Sequence, residues 1–130
     1  MDIINQMKQS GGNALYLIAV LPQGKNPFIG SNPANGLNQN VLNQWETWFT
    51  EMDNAGITIF FFFYDDGNIP TWWKTGDLVG NEERDFIYAI VNKFEHHKNL
   101  IWVVKEEYAE SLTPARVSNI AKEIRAADDY

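Results

Sequence analysis

The stretch Ile57-Thr58-Ile59-Phe60-Phe61-Phe62-Phe63-Tyr64 decides the fold of this chain. Every residue in it except Thr58 is large and either apolar or aromatic. Successive side chains of a β-strand point to opposite faces of a sheet, so a run of this kind buries both faces. The stretch is therefore predicted to be a central strand of a parallel sheet that is covered on both sides.

Amphipathic helices are predicted on either side of this strand. Residues 39–54 carry large apolar side chains at helical spacing, and Gly56 is placed at the C-cap. Residues 81–97 repeat the pattern, with a buried stripe formed by Phe86, Ile87, Ile90, Val91 and Phe94. A final helix follows Thr113, which is a favourable N-cap residue, and has Pro114 at its first position.

Two more strands and one more helix complete the pattern. The apolar run 14–21 predicts a strand that is buried on both faces, and the run 100–104 predicts a third strand. Residues 2–10 predict a short helix that ends at Gly11-Gly12. The elements therefore alternate as helix, strand, helix, strand, helix, strand, helix. Crossovers of this length join parallel strands through right-handed connections.

Loop lengths distinguish the two parallel architectures. The loops that follow strands, 22–38 and 65–80, are long, whereas the connections that follow helices, Ala55-Gly56 and Lys98-Asn99, are tight. A (β/α)8 barrel has this asymmetry and carries its active site at the carboxyl ends of the strands, while a doubly wound open sheet is the main alternative. Three strands cannot close a barrel, which takes roughly 250 residues. We expect residues 1–130 to form a single α/β unit, a partial (β/α)8 (TIM) barrel with three parallel strands and four helices.

Composition excludes several classes of function. The chain has 10 basic and 17 acidic residues, a net charge of −7, and no cluster of Lys and Arg that would predict nucleic-acid binding. It has no cysteine, which excludes a disulfide framework, a thiolate metal site and a cysteine nucleophile. The first residues show no signal-peptide pattern, and the longest apolar run is too short to cross a bilayer. We expect a soluble chain with neither nucleic-acid nor membrane partners. The sequence does not identify its cellular compartment.

An acidic pair, Glu106-Glu107, follows the third predicted strand. A carboxyl group at the mouth of a barrel can have a raised pKa and protonate a leaving oxygen. We expect the large Trp102 to pack under the helices, which by strand alternation sends Glu107 to the opposite, inward face. The alternative is that the pair is a solvated acidic turn before the last helix.

Aromatic and acidic residues after the second strand are candidates for a sugar site. Tyr64, Asp65 and Asp66 end that strand, and an aspartate there can hydrogen-bond a sugar hydroxyl or form an Asx turn before Gly67. Trp72 and Trp73 lie in the following loop, where an indole can stack on a sugar ring or cover the core.

The two histidines do not predict a metal site. His96 and His97 are neighbours in the predicted helix 81–97, and adjacent helical residues do not share a face. We interpret them as solvated residues that complement the helix dipole, and expect no metal. No glycine-rich nucleotide-binding motif occurs, so no cofactor is expected either.

Three stretches resemble retaining glycosidase barrels of the glycoside hydrolase type. Ser10-Gly11-Gly12-Asn13-Ala14-Leu15-Tyr16-Leu17 resembles the entry to their second strand, and the region from Trp45 to Ile57 resembles the helix before their third strand. The run from Asn99 to Tyr108 resembles their fourth strand, which ends in an Asn-Glu pair. The resemblance covers nearly the whole chain, from the first to the fourth helix of the barrel.

The resemblance implies roles for particular residues. Glu107 would be the acid/base, and Glu106 would replace the asparagine that contacts the sugar in that family. Tyr64, Asp65, Asp66, Trp72, Trp73 and Tyr108 would line the sugar site. The nucleophile would be a second glutamate on the seventh strand, which lies beyond this chain, so we expect a truncated reading frame and negligible hydrolysis by the segment alone.

Two other functions stay open. The chain could be a non-catalytic, carbohydrate-binding half-barrel that associates with another copy or with the missing half of the barrel through its edge strands and apolar faces. It could also be a hydrolase that uses Asp65, Asp66 and Glu107 as oxygen ligands for Mg²⁺ or Ca²⁺.

Overall fold

The structure is a computed structural model that describes residues 14–20, 27–31, 35–64, 78–105 and 113–128. The chain alternates between strands and helices in the order β1, α1, β2, α2, β3, α3. These elements span Ala14–Val20 (β1), Gln39–Asn54 (α1), Thr58–Tyr64 (β2), Asn81–Phe94 (α2), Leu100–Lys105 (β3) and Pro114–Ala127 (α3). A 3-10 turn at Ile29–Ser31 precedes α1, and Phe28 forms an antiparallel bridge with Leu37. The predicted helix at residues 2–10 lies outside the described residues.

The three strands form one parallel sheet in the order β1-β2-β3. In the register, Leu17 pairs with Phe61, and Phe61 pairs with Trp102 on the other side. The strands follow one another in space as they do along the chain, so these three strands contain no reversal of order. A doubly wound sheet reverses its order at a switch point. The sequential order fits a barrel wall, and it also fits one half of a doubly wound sheet.

All three helices pack against one face of the sheet. Trp45 and Phe49 of α1 contact Phe61 edge-on, with ring centroids 5.8 and 6.2 Å apart. Phe86 of α2 contacts Phe63 at 6.0 Å, on the same side of the sheet as Phe61. The helix α3 reaches this side through Asp128, which accepts a hydrogen bond from Trp102 Nε1 at 3.0 Å. The buried core lies between this face and the helices.

The second face of the sheet carries aromatic side chains that are partly open. Tyr16 lies against Phe60 and Phe62, with ring centroids 5.6 and 5.3 Å apart, yet 65% of its surface is exposed. Ile101 on β3 is 45% exposed. β2 is buried except for Thr58 and Phe60, which are half-buried. The prediction that β1 is buried on both faces is therefore wrong at Tyr16, because no described residue covers that part of the second face.

The helix boundaries follow local capping chemistry. α1 has the predicted bounds and begins at Asn38, whose side chain accepts a hydrogen bond from Asn40 N. α3 has its predicted N-cap, Thr113, and proline at its first position. α2 is shorter than predicted, because it ends at Phe94 and residues 95–96 form a turn.

Candidate functional site at the carboxyl ends of the strands

Most of the predicted site residues cannot be placed. The residues Asp65, Asp66, Trp72, Trp73, Glu106, Glu107 and Tyr108 lie outside the described residues. Tyr64 is the predicted site residue that the structure places. It ends β2 and is fully buried. Its role as a sugar contact stays a prediction.

Tyr64 belongs to a buried polar network. Its hydroxyl donates to Glu83 Oε2 at 2.5 Å, and Arg116 Nη2 donates to the same oxygen at 2.7 Å. Glu83 has no exposed surface, and 4% of Arg116 is exposed. Arg116 Nη1 also donates to the carbonyl oxygen of Leu78 at 3.0 Å. The guanidinium balances the buried carboxylate, which would otherwise be very costly to take out of water.

The network holds the ends of both loops that carry predicted site residues. Residues 65–77 follow directly after Tyr64 and run up to Leu78, and both of these residues contact the network. Residues 106–112 run up to Thr113, whose hydroxyl accepts a hydrogen bond from the backbone N–H of Arg116 at 3.1 Å. The three side chains are buried and the two charges balance, while Glu83 Oε1 has no hydrogen-bonding partner among the described residues. These contacts fix the described ends of both segments.

The pairing of Glu83 with Arg116 was not predicted from the sequence, although the sequence contains a pattern that bears on it. Glu83 lies on the same helical stripe as the buried residues Ile87 and Ile90 of α2, at a spacing of three to four residues. Arg116 likewise lies on the buried helical stripe of α3. A charge on an apolar helical stripe indicates a charged side chain that is buried with a partner, but it does not identify that partner.

The packing of Trp102 confirms the expectation on which the orientation of Glu107 rests. Its indole contacts Phe61 and Phe63 on the helix-covered face, with ring centroids 5.2 and 5.8 Å apart. Ile101 and Val103 alternate with it and belong to the opposite face. Glu107 follows β3, which ends at Lys105, and lies outside the described residues, so its orientation stays a prediction.

No helix among the described residues is long and apolar enough to span a membrane.

Comparisons with known proteins show a similarity of fold but none of sequence. No protein-family model matches the sequence, and no curated protein matches it. The crystal structure of a glycoside hydrolase family 5 protein from Bacteroides vulgatus is similar, with a TM-score of 0.67 and 13% sequence identity. The similarity covers 98% of this chain and 29% of that one. The chain therefore has the α/β fold of a partial (β/α)8 barrel, with three parallel strands and three described helices.

Proposed function

We propose that this chain is a segment of a glycosidase barrel that hydrolyses glycosidic bonds, with Glu107 as the general acid/base. The observation that carries the proposal is the structural similarity to a glycoside hydrolase over almost the whole chain. A glutamate pair follows β3 directly, where barrels of this type keep catalytic groups. The chain spans 29% of the length of that relative, so the activity belongs to a completed barrel.

The acid/base role rests on strand alternation. Trp102 packs under the helices, and Glu107 is five residues further along the chain, so alternation assigns it to the opposite face. That face is the interior of a barrel, whose mouth receives the substrate. There Glu107 would protonate the leaving oxygen of the glycosidic bond and later deprotonate the attacking water.

A second carboxyl group is required from elsewhere in the barrel. Retaining hydrolysis places its two carboxyl groups about 5–5.5 Å apart on either side of the scissile bond. Glu106 and Glu107 are consecutive in the sequence, so we propose that only one of them flanks the scissile bond. Glu106 takes the position of the family's sugar-contacting asparagine, and we assign it to substrate binding. Asp65, Asp66, Trp72, Trp73 and Tyr108 complete the proposed sugar site with Tyr64.

The experiment is to substitute this segment for the corresponding part of a family 5 barrel and to assay the chimera. Substrates are p-nitrophenyl glycosides and soluble oligosaccharides that differ in sugar and linkage. Glu107→Gln should lower kcat by at least about a hundredfold, because general acid–base catalysis contributes about 10²- to 10⁴-fold. The control Glu51→Gln removes a carboxylate from the exposed side of α1 and should leave kcat unchanged. An active chimera in which Glu107→Gln has no effect contradicts the proposal.

A second candidate function is self-association without catalysis. The exposed aromatic and aliphatic side chains of the second face, Tyr16 and Ile101, favour it. β1 and β3 each pair on one side only among the described strands, and unpaired strand edges promote pairing between chains. In a self-associating chain of this kind, a second copy of the chain covers the open face of the sheet.

A further inference from the structure

The two histidines converge on a glutamate at the other end of the sheet from the proposed sugar site. His96 and His97 follow the end of α2 at Phe94 and precede β3, and they therefore lie near the amino ends of the strands. Glu46 lies in the middle of α1. Since α2 ends before both histidines, the helical rule that separates adjacent side chains does not apply to them. The prediction that both histidines belong to the helix is therefore wrong, and the prediction that they are solvated is wrong for His97, which is buried.

Both imidazole rings contact the same carboxylate. His96 Nε2 lies 2.9 Å from Glu46 Oε1, and His97 Nε2 lies 2.9 Å from Glu46 Oε2. One ligand atom of each residue lies within 4.8 Å of the other two. The His97 side chain is 6% exposed and packs edge-on against Phe49, whereas the His96 side chain is 52% exposed. The cluster thus has one buried member and one side open to water.

Two atoms of the cluster lack hydrogen bonds. Glu46 Oε2 and His97 Nε2 are close enough for an ion pair, but they are not aligned for a hydrogen bond. Both are buried without a hydrogen-bonding partner among the described residues. Buried polar atoms in native proteins are nearly always paired, and leaving one unpaired costs about 1–3 kcal/mol. A bound cation would accept lone pairs from both atoms.

The donor set fits zinc chemistry. Two imidazole nitrogens and one carboxylate oxygen are the protein ligands of many zinc sites, with bonds of about 2.0–2.2 Å and a fourth position for water. The carboxyl end of α2 adds a favourable dipole for a cation.

We propose that Glu46, His96 and His97 form a binding site for a zinc-class divalent cation that links α1 to the turn between α2 and β3. The cation takes the two Nε2 atoms and the Glu46 carboxylate as ligands, and water from the open side completes its coordination. The site is separate from the proposed sugar site, which lies at the opposite ends of the strands. In this position the cation joins α1 to the segment that precedes β3.

The composition of the chain simplifies a metal-binding experiment. The chain has no cysteine and only two histidines, so no other imidazole or thiolate competes for the metal. The full 130-residue chain without an affinity tag is titrated with ZnCl2 by calorimetry, with MgCl2 as the hard-cation comparison. One Zn²⁺ per chain and no Mg²⁺ should bind, and ZnCl2 should raise the thermal unfolding midpoint.

Three variants identify the ligands. His96→Gln and Glu46→Gln should each weaken zinc binding at least tenfold and abolish the thermal shift, whereas Glu51→Gln on the same helix should keep both. His97→Gln should have the same effect on binding, and circular dichroism reports whether this buried substitution leaves the fold intact. The proposal is overturned if the unmodified chain does not bind zinc. It is also overturned if either His96→Gln or Glu46→Gln binds zinc as tightly as the unmodified chain.

Discussion

At the residue scale, Glu83 and Arg116 form a buried ion pair between α2 and α3. Its two side chains are 0% and 4% exposed, and the closest approach is 2.7 Å. Removing one member of such a pair leaves an uncompensated buried charge. Tyr64 depends on the same carboxylate, so the end of β2 is coupled to the pair.

Arg116→Met should destabilise the chain by about 3–5 kcal/mol, because Glu83 is then a buried charge without its partner. The double variant Glu83→Gln/Arg116→Met should be more stable than Arg116→Met alone, since no buried charge remains and glutamine can still accept from Tyr64. Urea denaturation measures the free energies of unfolding.

Arg84 provides the matched control. It pairs with Glu123 across the same two helices at 3.1 Å, but the Arg84 side chain is 44% exposed. Exposed ion pairs contribute little to the free energy of unfolding, so Arg84→Met should destabilise the chain far less than Arg116→Met. If the two substitutions lowered the free energy of unfolding equally, the burial of the Glu83–Arg116 pair would not increase its effect on stability.

At the scale of elements, the connection between α1 and β2 depends on one glycine. Gly56 has a positive φ of 74°. Its N–H donates to Asp53 O at 3.0 Å, and the N–H of Ile57 donates to Met52 O at 2.8 Å, which is the Schellman arrangement. These hydrogen bonds end α1, and the chain continues directly into the central strand, β2.

Gly56→Ala should lower the free energy of unfolding by about 1–2 kcal/mol, the cost of a left-handed conformation for a residue with a Cβ. Apart from Gly56 itself and its two chain neighbours, no described residue has an atom within 4 Å of the position of that Cβ, so a collision would not contribute. Gly56→Asn should cost less, since asparagine tolerates this conformation better. Thermal or urea unfolding of the two variants measures the difference, and an asparagine variant no more stable than the alanine variant would count against the backbone explanation.

At the scale of the whole molecule, the partly open second face predicts association. Light scattering combined with size exclusion should show dimers or larger species of the 130-residue chain. Ile101→Lys should shift them toward monomer, because it places a charge on the open face of an edge strand. Leu78→Lys is the control, since Leu78 is also exposed (69%) but precedes α2 and does not belong to the sheet. A native chain that is already a monodisperse monomer would contradict self-association.

The sequence by itself determined the order of elements, most of their boundaries and the parallel fold. The apolar run from Ile57 to Tyr64, the helical spacing in α1 and the capping of α3 by Thr113 are local patterns, and local patterns encode local structure. The end of α2 was misplaced by three residues, because amphipathic spacing does not mark where a helix stops when no glycine follows.

Only the tertiary structure decided which polar residues meet. His96 and Glu46 are 50 residues apart along the chain, and Arg116 and Glu83 are 33 apart. Their contacts depend on how α1, α2 and α3 pack beside one another on one face of the sheet, and spacing within a single element does not specify that packing. The buried network at the carboxyl ends of the strands and the histidine cluster at the amino ends are therefore properties of the packed fold.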